Sequence, residues 1–352
     1  MTTIRVSSVT DFAALGERWR ALEQRAEPSF FQSWTWYGCL AAERFPDPVL
    51  VEATEAGRTV ALALFNRVRD RLGPPRLYLG QAGQPALDCP YIEQNGVLAE
   101  TGREADLAAC CLRAVAAEHA PVLSGIGPNM LAAARQAAAL IHVTNQQDSP
   151  CIDLARIRAA DRDYLAGRSA NTRQQVRRSD RSYARDGAVR VERADTVPAA
   201  LAMLDEMADL HQATWTARGR PGCFATPFFR RFHAALIQEA LPRKEVALLR
   251  VQGDRQPIGV LYNFAFRGRM YAYQSGFAYG GTEGTRAKPG LSCHHAAIRH
   301  ALALGFDCYD FLAGDDRYKR SLSDHAHAQY WVEAGPAWAP RLLLRKAWHA
   351  VW

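Results

Sequence analysis

The chain has 352 residues, 48% hydrophobic and 22% charged, with a formal net charge of +7. At roughly 100 to 200 residues per domain it has room for two domains, each with a core of its own, which excludes a disordered chain and a small module that needs disulfides or metals to fold. The opening MTTIRVSSVTDF lacks a basic segment followed by an apolar run, and no uncharged apolar stretch reaches the ~18 residues of a membrane span, so a cytoplasmic protein is expected.

In chain order, DFAALGERWRALEQ and FFQSWTWYGCLAAERF carry apolar residues at helical spacing. PVLVEATEAGRTVALALFNR then alternates as strand, glycine turn and strand. YIEQNGVLAE, READLAACCLRAVAAEH and PVLSGIG continue as strand, helix and strand. DSPCIDL reads as a strand crossing between two halves. The second half repeats the plan: helices in VPAALAMLDEMADLHQATW and FFRRFHAALIQEAL, a hairpin in EVALLRVQGDRQPIGVLYNF, then MYAYQSGFA, GLSCHHAAIRHALALG and FDCYDFLAG. Two copies of one α/β unit are therefore expected, residues 1–155 and 156–352. The first copy ends in GIGPNML, which offers no nucleophile or charge, and reads as scaffold.

Three segments of the second copy carry candidate chemistry. GRSANTRQQVRRSDRSYARDG is predicted as a helix with Arg173, Arg177 and Arg181 on one face; between Arg168 and Arg185 six arginines stand against Asp180 alone. Nucleic acid, a nucleotide's phosphates, an anionic lipid surface or plain solvent could face it. GGTEGTRAKPGLSCHH runs from a glycine-rich loop into a helix, where Pro289 fits the first turn. Free N–H groups over Pro289, Gly290, Leu291, Ser292 and Cys293, with Arg286 and Lys288 beside them, would cradle a pyrophosphate; a mere helix cap is the other reading. CYDFLAGDDRYKR ends a strand in Gly314 and then sets out Asp315, Asp316, Tyr318 and Lys319. These would lie beside the cradle, because ligands of open α/β sheets sit beyond the carboxyl ends of the strands. Lysine is scarce, at 244, 288, 319 and 346 only.

Other groups point to less. The eight cysteines include no CxxC pair, the histidines do not combine at ligand spacing, and no metal is expected. AWAPRLLLRKAWHAVW wound as a helix puts Arg341, Arg345, Lys346 and His349 on one side and apolar residues on the other, which suits packing on its own domain or a membrane interface.

NTRQQVRRSDRSYARDGAVRVER, LHQATWTARGRPGCF, FFRRFHAAL, the KPG run into a helix and LGFDCYDFLAGDDRYK together resemble acyltransferases of the GNAT superfamily, in the CelD-type and FemAB-like branch with a BioF-like acetyltransferase domain. The likeness is strongest from about residue 160 to 335. It implies an α/β protein of two tandem GNAT-like domains, each a mixed twisted sheet flanked by helices. It also implies an acyl-CoA donor and an amine acceptor of envelope, polysaccharide or lipid type. The family's Arg/Gln-x-x-Gly-x-Gly/Ala loop is absent, and Lys288, Pro289 and Gly290 stand in its place.

On this resemblance Tyr318 is the general acid, Asp316 or Asp310 the base, and Lys319 a partner for phosphate or oxyanion. A backbone N–H near Ser275 is the oxyanion donor, Arg173 and Arg177 attend the donor, and His211, Trp215 and Arg218 form the acceptor side. Peripheral contact with an anionic membrane surface at its inner face is a further expectation, and DNA is not an expected partner. The alternatives are a FemAB-like transfer from aminoacyl-tRNA and a non-catalytic nucleotide or acyl-CoA binding protein.

Overall fold

A computed structural model describes the chain apart from Leu72, residues 185–188, 255–256, 280–286, Asp315 and 350–352, and the side chains of 346–349. The glycine-rich loop with Arg286, and Asp315, thus lie outside the described residues. The chain divides into two units, Met1–Gln147 with Ala328–Trp352, and Asp148–His327. Each is α/β, a mixed sheet flanked by helices.

The first half contributes β1 (Thr3–Ser8), α1 (Phe12–Glu23), α2 (Trp34–Tyr37), α3 (Ala41–Arg44), β2 (Pro48–Glu55), β3 (Arg58–Val68), β4 (Arg76–Leu79), β5 (Leu98–Ala99), α4 (Glu104–Ala116), β6 (Ala120–Ile126), α5 (Pro128–Ala137) and β7 (Leu140–Asp153). The helix expected over 30–45 is broken, because Leu40 takes a left-handed φ of 49° between α2 and α3. The β2–β3 hairpin turns at Ala56 and Gly57, both at positive φ, the geometry that matches strand twist. In the first unit β1 to β4 run antiparallel, β4 and β6 are parallel, and β13 (His325–Gly335) adds antiparallel to β6. Leu107, Cys111 and Leu112 of α4 and Leu131 and Ala134 of α5 bury one face of this sheet.

The second half contributes α6 (Leu154–Ala159), α7 (Ala170–Tyr183), β8 (Arg190–Arg193), α8 (Val197–Ala217), α9 (Pro227–Ala240), β9 (Val246–Gln252), β10 (Pro257–Phe266), β11 (Arg269–Phe277), α10 (Pro289–Ala303), β12 (Cys308–Asp310), α11 (Arg317–Leu322), β13, and α12 (Pro340–His349). In the second unit β8 to β11 are antiparallel, β11 and β12 parallel, and Cys151–Asp153 of β7 pair with β12. Leu291, Cys293, Ala297, Ile298 and Ala301 of α10 pack with Ile258, Leu261 and Met270. Burial of each large apolar side chain there contributes about 1.5 to 3 kcal/mol. Strand alternation sends Tyr262 to the opposite face from Leu261. There His233 of α9 meets Tyr262 and Tyr273. Gly276 permits close approach of α8, since a Cβ would stand 2.4 Å from the Met207 carbonyl.

Apart from β5, a two-residue strand that pairs with β3, the order β2-β3-β4-α4-β6-α5 in the first half matches β9-β10-β11-α10-β12-α11 in the second, and the parallel pairs β4/β6 and β11/β12 correspond. The boundary expected at 155/156 is corrected. The division falls at 147/148, and residues from Ala328 return to the first unit because Tyr330–Glu333 pair with Ile126–Val122.

Candidate active site

Helix α7 begins at Ser169, whose hydroxyl accepts from the Thr172 N–H at 3.2 Å. It has little apolar surface, yet Thr172, Val176, Ser179 and Asp180 are buried. Polar contacts with α10 account for this. The Ser179 and Ser292 hydroxyls lie 2.8 Å apart, and Asp180 Oδ2 lies 2.8 Å from His295 Nδ1. Burying such groups is tolerable only because they are paired.

The same serine alters the start of α10. Ser179 Oγ accepts from the Lys288 N–H at 2.9 Å, and the Lys288 carbonyl accepts from the N–H groups of Leu291 at 3.0 Å and Ser292 at 3.2 Å. Pro289 has no N–H, and Ser292 and Cys293 are fully buried. The main-chain cradle expected over 289–293 is therefore corrected. Gly290 alone of Lys288–Ser292 keeps an N–H without a partner among the described residues.

What the second unit builds instead is a cavity of about 280 Å³ lined by side chains. Asn171, Thr172 and Gln175 come from α7, Lys288 and Leu291 from the start of α10, and Arg317, Tyr318 and Ser321 from α11. Gln175 Oε1 accepts from Lys288 Nζ at 2.8 Å, and Asn171 Oδ1 accepts from Gln175 Nε2 at 3.0 Å. No carboxylate is among these lining residues, so Lys288 and Arg317 give the cavity a positive character. Tyr318 stacks on His294 with ring centroids 5.3 Å apart and meets Phe311 edge-on at 6.2 Å. Its hydroxyl has no hydrogen-bond partner among the described residues. Burial, then the charge of Asp316 and the nearby Tyr279, raise its pKa above the ordinary tyrosine value. His294 is pushed down to about 3 by burial and by the Lys319 charge, so its imidazole is neutral.

The parallel pairing of β11 with β12 covers only Arg269–Tyr271, after which β11 runs on to Phe277. The Ala278 N–H donates to Ile258 on β10. Alternation then turns the Ser275 and Phe277 amides to the other edge, beyond the end of β12. The Phe277 ring lies 6.0 Å from His294 and beside Gly290, whose added Cβ would be 3.3 Å from it.

Other expected residues lie elsewhere. The Lys319 ammonium donates to the Ala313 carbonyl at 2.7 Å, so it closes the loop after β12. Asp310 is fully buried, its Oδ1 accepting from Ser149 at 2.9 Å and the Leu312 N–H at 2.8 Å, with His327 3.5 Å from Oδ2. That network removes it from the cavity. Asp316 is exposed at the start of α11. Arg173 is half-buried and donates to the Arg168 carbonyl, while Arg177 is exposed. His211 is buried on α8 with Cys223 Sγ at 3.6 Å, and its pKa is lowered by burial. The Arg218 guanidinium stands 5.7 Å from the Trp215 ring, and its charge acts on Tyr279.

The lining residues Asn171, Thr172, Gln175, Arg317 and Ser321 escaped the sequence reading. Asn171, Gln175 and Ser179 recur at i, i+4 and i+8. That polar stripe was their signal, and it was overshadowed by the arginines between them.

Residues 170–320 match the family model described as an acetyltransferase (GNAT) domain. The second unit carries an acyltransferase domain of the GNAT fold. Solved structures similar to the chain over nearly its whole length show the same architecture. FemX is 10% identical, with 97% of this chain and 99% of that chain covered and a TM-score of 0.61. The C-terminal domain of a protein assigned as lysylphosphatidylglycerol synthetase from Agrobacterium fabrum is 11% identical, with 95% of each chain covered and a TM-score of 0.56. L-PGS from Bacillus licheniformis is 9% identical, with 94% and 96% covered and a TM-score of 0.53. No curated protein sequence matches the chain significantly. Among the described residues no helix is long and apolar enough to cross a membrane, and no cluster of metal-ligating side chains occurs.

Proposed function

We propose that the protein is an acyl-CoA dependent N-acyltransferase of the CelD-type and FemAB-like branch, with an amine of an envelope, polysaccharide or lipid-type molecule as acceptor. One observation carries the reading: the α7–α10–α11 cavity brings Lys288, Arg317 and the unpartnered Tyr318 hydroxyl together. The residues fit a CoA thioester. Lys288 and Arg317 would hold its phosphates as side-chain cations, and Asn171, Gln175, Thr172 and Ser321 offer amides and hydroxyls to the rest.

The chemistry asked of the chain is modest. An alkylamine of pKa about 10 must lose a proton before it attacks, and a departing thiolate of pKa about 8.5 leaves more readily if it is protonated. Tyr318 supplies that proton, since burial keeps it a phenol. The Ser275 N–H, turned beyond the end of β12, donates to the oxygen on which charge develops. Asp316 is the base in this scheme, acting through water, and Asp310 is set aside. Tyr279, Arg218, Trp215 and His211 would line the acceptor side.

The test is a melting curve with and without acyl-CoA, followed by thiol release in the presence of an amine library. A raised melting temperature and amine-dependent thiol release are expected. Stabilisation without thiol release would favour the non-catalytic binding protein. The exposed Arg177, Arg178 and Arg181 on α7 favour a second reading, transfer from an aminoacyl-tRNA. Salt-sensitive tRNA binding in a gel shift, with no response to acyl-CoA, would select it.

A further inference from the structure

The first unit holds another cavity, of about 420 Å³, bounded by Asp70, Gly73, Pro74 and Arg76, by β13 and by α12. Its charged lining is Asp70, Arg76, Glu333, Arg341 and Arg345, with a positive balance. Arg76 Nη2 lies 2.6 Å from Glu333 Oε1. The two guanidiniums of α12 gather on the same carboxylate more loosely, Arg341 at 3.6 Å and Arg345 at 3.5 Å from Oε2. Those distances are ion pairs rather than good hydrogen bonds, so both groups retain donors for a further anion.

Apolar surface adjoins these cations. Leu342 is buried with Leu140 and Ala339 and fixes the helix. The next two residues turn outward, Leu343 at 43% and Leu344 at 72% exposure, and Trp338 is 57% exposed. Three of the seven exposed large apolar side chains among the described residues thus fall within 338–344. Scattered singly they would need no account; clustered beside guanidiniums they form a surface with a specific chemistry.

We propose that this cavity binds the phosphate head group and first acyl segment of an anionic phospholipid, while Trp338, Leu343 and Leu344 enter the bilayer interface. Leu344 lines the cavity and is also exposed, so the site opens toward the apolar surface. A tryptophan with aliphatic neighbours suits the interfacial zone, and basic side chains are drawn to anionic lipid. A second copy of the chain fits less well, since the same positive face would meet itself. This site is independent of the cavity at Tyr318.

The experiment is co-sedimentation of the full chain with vesicles of phosphatidylcholine alone or with phosphatidylglycerol added. Binding to the anionic vesicles is expected, weakened about thirty-fold in an Arg341→Gln/Arg345→Gln variant, from the loss of two basic groups near the surface. Leu344→Asp, a change at an exposed side chain that leaves the core untouched, should also weaken it. A short-chain phosphatidylglycerol below its micelle concentration should compete, and inorganic phosphate should not. Equal binding to neutral and anionic vesicles, unchanged binding by both variants, or competition by phosphate alone would overturn the proposal. So would a dimer that Leu344→Asp dissociates in the absence of any lipid binding.

Discussion

Tyr318→Phe removes one oxygen and little else. The ring keeps its stack on His294 and its edge contact with Phe311. The lost hydroxyl has no partner among the described residues, so stability should change by no more than about 0.5 kcal/mol. A general acid at the leaving sulfur contributes about 10²- to 10⁴-fold, or roughly 3 to 5 kcal/mol of barrier. The expected outcome is a fall of that size in kcat with the KM for the acyl donor nearly unchanged. Thiol release under saturating acyl-CoA measures it, and a melting curve checks the fold. The pH dependence adds a constraint. Because burial and the Asp316 charge hold the phenol above its usual value of 10.0, it stays protonated through neutral and mildly alkaline pH. The rate should therefore rise toward the acceptor amine's pKa without an earlier alkaline fall. A Phe variant with wild-type kcat, or a loss of wild-type rate near pH 8, would rule out Tyr318 as the general acid.

Lys288→Met should raise the KM for the donor about 10- to 100-fold, the usual cost of a lost charged hydrogen bond, while kcat falls less; steady-state kinetics separates the two. Ser179→Ala should lower stability by about 1 to 3 kcal/mol, because the Lys288 N–H loses its acceptor; urea unfolding reads this directly. Acid should destabilise the protein through His233 and His294, both pushed from 6.5 to about 3. The unfolded chain binds those protons first, so stability is full above pH 6.5 and declines as pH falls toward 3, by up to about 1.4 kcal/mol per pH unit for each histidine. His233→Phe should make that decline shallower in pH-dependent unfolding.

Much of the second unit was legible because its elements are local. The β9–β10 alternation and Pro289 at the first turn of α10 each mark an element within a few residues. Tyr318 lines the same cavity as Lys288 and Leu291 at the α10 start, yet the helix that carries it was not legible, because α11 spans six residues, too few to show a helical period. Lys319 looked like a ligand for phosphate, yet a carbonyl six residues earlier in the chain is within reach and takes its ammonium. The docking of α7 was not legible, because its anchoring residues Ser179 and Asp180 are polar and their partners lie more than 100 residues away. The return of β13 to β6 likewise rests on pairing about 200 residues apart, which no local pattern encodes.

On the proposed function, the side chains of α7, α10 and α11 enclose the donor site. Ser321→Trp would fill that cavity from α11 while leaving the identities of Lys288 and Tyr318 unchanged. Titration calorimetry with CoA on wild type and Ser321→Trp is the direct measurement. Binding to the wild type and its loss in the variant are expected, with both proteins melting within a few degrees of each other. CoA binding equally well to the filled variant would contradict it.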